Sequence, residues 1–412
     1  MKKHTYRARN VNKIDWIQVT ERLSGESGVF AIDVAKENQY ALLSNEDNSV
    51  SELIWWNHPE QTQEALTALE GLGCRLDVVM ESTGTYGDAL RYQFRQLGFG
   101  IYQMNAKRVS DAQEVYDGVP SMHDAKSATV ITRLHREGLS DLWVDLTDEE
   151  RSLDALRREY DLHQSQYQRN QNRLEAYLSR HWPEVGCFLG LDSVTLESLL
   201  IDYGSPERIA ADAERAARRM RKWGRSLLSN EKIERVIDSA CRPFGQPCTE
   251  AEFRYLQALA TEMRQSRLHQ KQAKKALEAR IKGDDELKEM GSVIGWVTTA
   301  IFLSCHLDPR KYDCAGSFQK ALGLNLKEKS SGRHVGQLKI TKRGSAIARS
   351  YLYFAALRLI KNDPRVTAWY LNKVDPRAKN KTVIAVMRKL SKALWYVGRG
   401  ERFNAHQLFT VT

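Results

Sequence analysis

The chain has 412 residues, enough for two or three domains with cores of their own. Its 62 Lys and Arg outnumber 52 Asp and Glu, a formal charge of +10 that points to a polyanionic partner such as DNA or RNA. Six scattered cysteines with no CxxC pair argue against a zinc or thioredoxin-like site and for a reduced, cytoplasmic protein.

The basic N-terminus is followed by no apolar signal-peptide core, so none is expected. The stretch "GVFAIDVAK" (Gly28 to Lys36) predicts a buried strand with one acid, Asp33, in its middle. "YALLS" and "SELIWW" follow as a meander. "PEQTQEALTALEGLG" predicts an amphipathic helix, "RLDVVMES" a strand, "TYGDALRYQFRQLG" a helix and "FGIYQM" a strand. Three strands, helix, strand, helix, strand imply an α/β domain with a mixed sheet over residues 25–145. The run from Ser121 predicts a further helix with Asp124 in its first turn.

Residues 146–287 read as helical. Thr147 with Glu150 and Thr249 with Glu252 are capping-box pairs. After the first, Leu153, Tyr160, Tyr167 and Leu174 recur every seven residues, joined by Leu156 and Leu178. After the second, Leu256, Met263 and Leu277 keep that period, with Gln270 at the remaining step. Two such helices suit an antiparallel coiled coil, either as an interface between chains or as a hairpin within one. A smaller helical insertion, roughly Glu184 to Pro247, lies between them. There Ser205 before Pro206 is expected to cap a helix. The strongly basic "ERAARRMRKWGR" is either a solvated helix face or a contact with RNA or DNA.

Residues 288–412 read as mostly helical. The apolar "GWVTTAIFLSCHL" is too short and too polar to span a bilayer, so no membrane partner is expected. The glycines of "GSVIGWVTTAIFLS" precede a helix, a turn that can offer N–H groups to a phosphate. "KEKSSGRHVGQLKITKRG" (Lys327 to Gly344) sets two serines among glycines and bases. It is either a surface loop or a nucleophile held beside a phosphate.

The acids bear on that choice. Asp33 in an apolar strand and Glu81 at the end of another are costly without compensation. Two acids on neighbouring strands suit Mg²⁺, a hard cation with oxygen ligands. Pairing of each with Lys or Arg at a strand end is the alternative. Asp124 is a third acid able to reach such a site. Asp117 is near in sequence but separated from the helix by Gly118 and Pro120, and His123 is an ordinary polar residue before it is a ligand or base.

"AIDVAK", "MESTGTYG" and "HDAKSA", with the C-terminal "SSGRHVGQLKITKRGSAIARSYL", "NDPRVTAWY" and "KTVIAVMRKL", resemble the insertion-sequence transposases with a RuvC-like domain, described as bridge-RNA-guided recombinases and related to the DNA invertase Piv. The resemblance covers most of the chain. It implies a RuvC-like (RNase H-like) domain, a coiled-coil region and a mostly α-helical C-terminal transposase domain that carries a serine. Asp33, Glu81 and Asp124 match three of the family's four acids. Ser121 stands where the other acid is usual, with Asp117 as a substitute.

The serine nucleophile implied is Ser331, with Ser330 as fallback. Arg333, Lys339, Lys342, Arg343 and Arg349 then clamp phosphate oxygens. The resemblance further implies Mg²⁺, a noncoding bridge RNA, donor and target DNA, a homodimer assembling to a tetramer, and a place on the bacterial nucleoid. Covalent attachment to a serine conserves the energy of the broken strand, so rejoining needs no ATP. Two other readings stand beside this one: a metal-dependent, structure-selective endonuclease of the Holliday-junction-resolvase type that needs no serine, and a non-catalytic nucleic-acid binder.

Overall fold

The computed structural model describes residues 6–23, 26–81, 84–116, 118, 123–328, 336 and 338–410. The chain divides into two units, residues 1–145 and 146–412.

The first unit is a seven-stranded mixed sheet with helices on both faces. In chain order its elements are β1 (Arg9–Asn10), α1 (Trp16–Leu23), β2 (Gly28–Asp33), β3 (Asn38–Asn45), β4 (Ser51–Asn57), α2 (Thr62–Gly71), β5 (Leu76–Glu81), α3 (Asp88–Gln96), β6 (Gly100–Met104), α4 (Ala106–Ala112), α5 (Asp124–Arg136) and β7 (Asp141–Leu142). The strand order is β1-β4-β3-β2-β5-β6-β7. β2, β3 and β4 form the expected antiparallel meander, while β5 and β6 run parallel to β2.

The alternation within β2 explains its place at the centre. Phe30 and Ile32 pack with Trp56, Leu66 of α2 and Phe94 of α3 on one face. Val29 and Ala31 pack with Val79, Met104 and the Val130, Ile131 and Leu134 of α5 on the other. A strand buried on both faces shows apolar residues at every position rather than at alternate ones. β1, β7, α1 and α4 were not foreseen. The two strands have two residues each, and α4 is set by a local cap in which Asn105 accepts from the Lys107 N–H at 2.9 Å.

The second unit is helical apart from one short hairpin. Its frame is α6 (Asp148–His181) and α12 (Glu250–Lys282). Both begin at complete capping boxes, on Thr147 with Glu150 and on Thr249 with Glu252. They run antiparallel within the chain. Arg280 donates to Ser152 at 3.0 Å, Gln270 bonds Gln164, and His181 lies 3.5 Å from Glu252 at the far end.

Between them come α7 (Val185–Phe188), α8 (Val194–Asp202), α9 (Pro206–Ala211), α10 (Ala213–Gly224) and α11 (Asn230–Cys241). Ser205 does hold the N-cap position of α9, but its side chain makes no capping hydrogen bond, so that expectation is corrected. Proline at the first helical position leaves fewer N–H groups for a cap to satisfy. Glu197 of α8, with no solvent exposure, takes Arg264 at 2.7 Å and Arg267 at 2.8 Å from α12.

The remaining helices are α13 (Lys288–Ile294), α14 (Trp296–Ser304), α15 (Ala315–Ala321), α16 (Ala346–Asn362), α17 (Pro364–Lys373), α18 (Lys379–Val397) and α19 (Ala405–Leu408). β8 (Leu326–Lys327) pairs with β9 (Lys339–Ile340) between α15 and α16.

The long helices share two separate apolar cores. Leu153, Tyr160, Ala273, Leu277 and Ile281 join the C-terminal helices. Leu174, Leu178, Leu256 and Met263 join the insertion. At the level between them stand Gln164, Gln270 and the His163–His269 pair, whose ring centroids are 4.9 Å apart.

The glycine turn between α13 and α14 is filled by side chains. Gly295 has φ +87°, a Cβ there would meet the Arg358 guanidinium at 3.0 Å, and one on Gly291 would meet the Trp296 ring at 2.5 Å. All six cysteines are free. Among the described residues no helix is long and apolar enough to cross a membrane.

Candidate active site

Asp33 and Glu81 are the last residues of β2 and β5, neighbouring parallel strands whose register pairs Ile32 with Met80. Both carboxylates therefore leave the sheet at one end. Asp124 opens α5, which packs across β2, β3 and β5. His123 caps that helix, its Nδ1 accepting from the Lys126 N–H at 3.3 Å, so its ring serves the backbone.

The electrostatics confirm proximity. The carboxyl of Asp33 is pushed up to about 7 by burial, then by the charges of Glu81 and Asp124, against a hydrogen bond from Ser127 that favours the ionised form. Burial also raises Glu81. No Lys or Arg forms an ion pair with these three acids among the described residues. The pairing with bases that sequence left open is not seen among the described residues. Asp117 and Ser121 lie outside the described residues.

A metal is tested by the donors themselves. They are carboxylate oxygens, with no ion pair to a base among the described residues, and this chemistry fits a hard divalent ion. Among the described residues no group of three His, Cys, Asp or Glu is close enough to hold an ion as it stands.

The surroundings hold Asp33 through residues that sequence inspection passed over. The Gln39 side chain, fully buried, donates to the Ala35 carbonyl at 2.6 Å and accepts from the Ala35 N–H at 3.2 Å, pinning the turn that leaves Asp33. Ser127, which bonds Asp33, accepts from Gln113 at 3.0 Å. A glutamine six residues after a strand acid and a serine one turn after a helix acid are common, so neither stood out.

In the second unit Ser330, Ser331 and Arg333 lie outside the described residues. The β8–β9 hairpin flanks them. Beside it is a cavity of about 1070 Å³ lined by Lys327, Lys339, Lys342, Lys381 and Arg388, with Leu326, Ile340 and Ile384 among its apolar residues. Lys381 and Arg388, from α18, were not foreseen. They sit seven residues apart on one side of an amphipathic helix, a spacing that was legible.

The other two bases have different surroundings. Arg349 donates from Nη1 to the carbonyls of Leu322 and Gly344, both at 3.1 Å, and ties the turn together. Arg343 is exposed and does not line the cavity. The turn is tight because Gly344 has φ +143° and a Cβ there would lie 2.1 Å from the Ala321 carbonyl.

Two family models match the chain. The DEDD transposase domain of the IS110 type matches residues 30–183, which contain Asp33, Glu81 and Asp124. The model described as transposase IS116/IS110/IS902 family matches residues 286–371, which contain Ser331 and the hairpin. Together they span more than half of the sequence. The chain belongs to the IS110/IS116/IS902 family of transposases. No curated protein gives a significant match.

As a transposase of this family the protein cuts and rejoins DNA. The matched span holds the acids at the ends of β2 and β5 and at the start of α5. The insertion from α7 to α11 and the whole of α18 fall outside both matched spans of the transposase.

Proposed function

We propose that this transposase exchanges DNA strands through a covalent phosphoserine on Ser331. The observation that carries the proposal is the five-cation cavity beside the hairpin that flanks Ser331. Lys327, Lys339, Lys342, Lys381 and Arg388 surround a space able to take a phosphate backbone and neutralise its charge.

In the first step the Ser331 hydroxyl oxygen attacks a phosphodiester, loses its proton, and bonds to phosphorus. The bridging P–O bond breaks and one strand leaves as a hydroxyl. In the second step a hydroxyl of another strand attacks the phosphoserine. A new phosphodiester forms and the serine regains a proton. Asp33, Glu81 and Asp124, with Asp117, would hold Mg²⁺, which supplies charge stabilisation at a phosphoryl oxygen when bound.

The same reading takes sequence choice to reside in a noncoding bridge RNA paired to donor and target DNA. It takes the working form to be a dimer that assembles to a tetramer, with the α6–α12 pair supercoiled as a coiled coil, acting on the nucleoid.

The test is a denaturing gel for protein–DNA adducts. Wild type and Ser331→Ala are incubated with Mg²⁺, the flanking RNA transcript, and labelled donor and target DNA. An adduct in wild type alone is expected. Cleaved ends without an adduct, equal in both proteins, would replace this reading with the endonuclease, for which the acid cluster alone suffices. Adducts that persist in Ser331→Ala but vanish in Ser330→Ala would move the nucleophile by one residue.

A further inference from the structure

We propose that the solvent face of α10 is a docking surface for the backbone of double-stranded DNA, separate from the strand-exchange cavity. The proposal rests on the family's action on DNA and not on the serine chemistry.

Charge segregation is the first observation. The insertion from Glu184 to Pro247 contains ten basic and ten acidic residues, yet Arg215 to Arg225 holds six bases and no acid. An insertion that only needed solubility would mix the signs. The helix is oriented by its apolar side, where Ala216 and Met220 are buried in the insertion core with Ala217 and Trp223 beside them. Arg218, Arg221 and Lys222 recur at i, i+3 and i+4, forming one exposed stripe, with Arg215 extending it toward the N-terminus and the exposed Arg225 following just past the helix end.

The stripe is poorly neutralised. Arg219 is taken by Asp202 at 2.5 Å, but it sits half-buried off the stripe. Arg215 and Arg218 only reach Asp212 and Glu214 at 3.9 and 4.0 Å. Arg221 bonds the neutral Asn230 at 3.0 Å. Lys222 and Arg225 have no acidic partner among the described residues.

The chemistry suits phosphate. The helix "AERAARRMRKWG" carries no Asn or Gln, the side chains that read adenine, and its guanidinium and ammonium groups are those that neutralise phosphates. Arg215 to Lys222 spans roughly 10 Å along the axis, enough to meet more than one phosphate of a duplex strand. α10 lies outside both matched spans, away along the chain from the acids and the serine. It gives the chain sequence-independent hold on DNA.

The experiment uses the full chain and a fluorescently labelled DNA duplex of mixed sequence, titrated by anisotropy over a range of salt. The variant Arg218→Gln/Lys222→Gln/Arg225→Gln is expected to bind more weakly and to flatten the slope of log K against log salt by about 2 to 3. Glu214→Gln, which relieves the one exposed acid of the helix, is expected to tighten binding and decides the matter should the triple variant melt below wild type. Lys339→Gln/Lys342→Gln serves as the reference for the strand-exchange cavity, and its own loss must add to that of the α10 variant. Unchanged affinity and slope in the triple variant, or no tightening by Glu214→Gln, would overturn the proposal. A loss seen with an RNA duplex of the same sequence and not with DNA would also overturn it.

Discussion

Asp33 and Glu81 stand side by side at the ends of two parallel strands, one residue beyond the Ile32–Met80 pair, with no base ion-paired to either among the described residues. Holding both ionised costs folding energy. The folded-state value of Asp33 is raised from 3.8 to about 7, so the stabilisation from its bound proton is complete below about pH 4 and lost as pH rises through 7. In EDTA, Asp33→Asn should therefore melt higher than wild type at pH 8 and match it at pH 4. Mg²⁺ should raise the melting temperature of wild type at pH 8 and leave Asp33→Asn unmoved. A wild type that is indifferent to Mg²⁺ at pH 8 would count against a metal at these acids.

Ser127 favours the charged form of Asp33 by donating to it. Ser127→Ala should shift the pH midpoint of the Mg²⁺-induced stabilisation upward and weaken metal affinity about tenfold, the scale for removal of a supporting hydrogen bond. Gln113→Ala, which acts one bond further out, should do the same more weakly. Titration of melting temperature against Mg²⁺ at several pH values reads both effects.

Lys381 and Arg388 reach the C-terminal cavity from α18. Lys381→Gln should lower DNA affinity uniformly over sequences and reduce the salt slope by about one. Arg388 also donates to the Leu324 carbonyl at 3.0 Å, so Arg388→Gln should both weaken binding and loosen the turn before β8. Salt titration of each full-length variant checks the first effect, and amide exchange over residues 322–328 checks the second.

Glu197 is the buried anion that joins α8 to α12 through Arg264 and Arg267. Glu197→Ala leaves the mostly buried Arg267 without its anion, while Arg264 can still reach water. Truncation of one partner of such a cluster costs about 3 kcal/mol. Urea denaturation of the full chain should show that loss, with the transition of the insertion separating from the rest. A midpoint within experimental error of wild type would refute it.

Most of the α/β unit was legible because its signals are local. The apolar run of β2, the meander, and the glycine-terminated helix each declare themselves within ten residues, although Asp33, expected in mid-strand, is where β2 ends. The capping boxes on Thr147 and Thr249 do so within four. What was hidden depends on partners distant in sequence. β1 is a strand only because β4 offers it an edge. Gln39 matters only because its side chain folds back on Ala35. Arg349 resembles any other base in a cationic run until the tight turn at Gly344 shows which carbonyls it meets. Lys381 and Arg388 were quoted within a motif, but nothing in α18 itself says that the β8–β9 hairpin lies opposite.

The layer of Gln164, Gln270, His163 and His269 interrupts the seam between α6 and α12, with a separate apolar cluster on either side. Side-chain amides and imidazoles exchange partners with water at little cost, whereas leucine layers do not. The long pair thus has an elbow. Both helices run unbroken through it, so the joint lies in the packing and not in the backbone: loss of the contacts on one side leaves those on the other side in place.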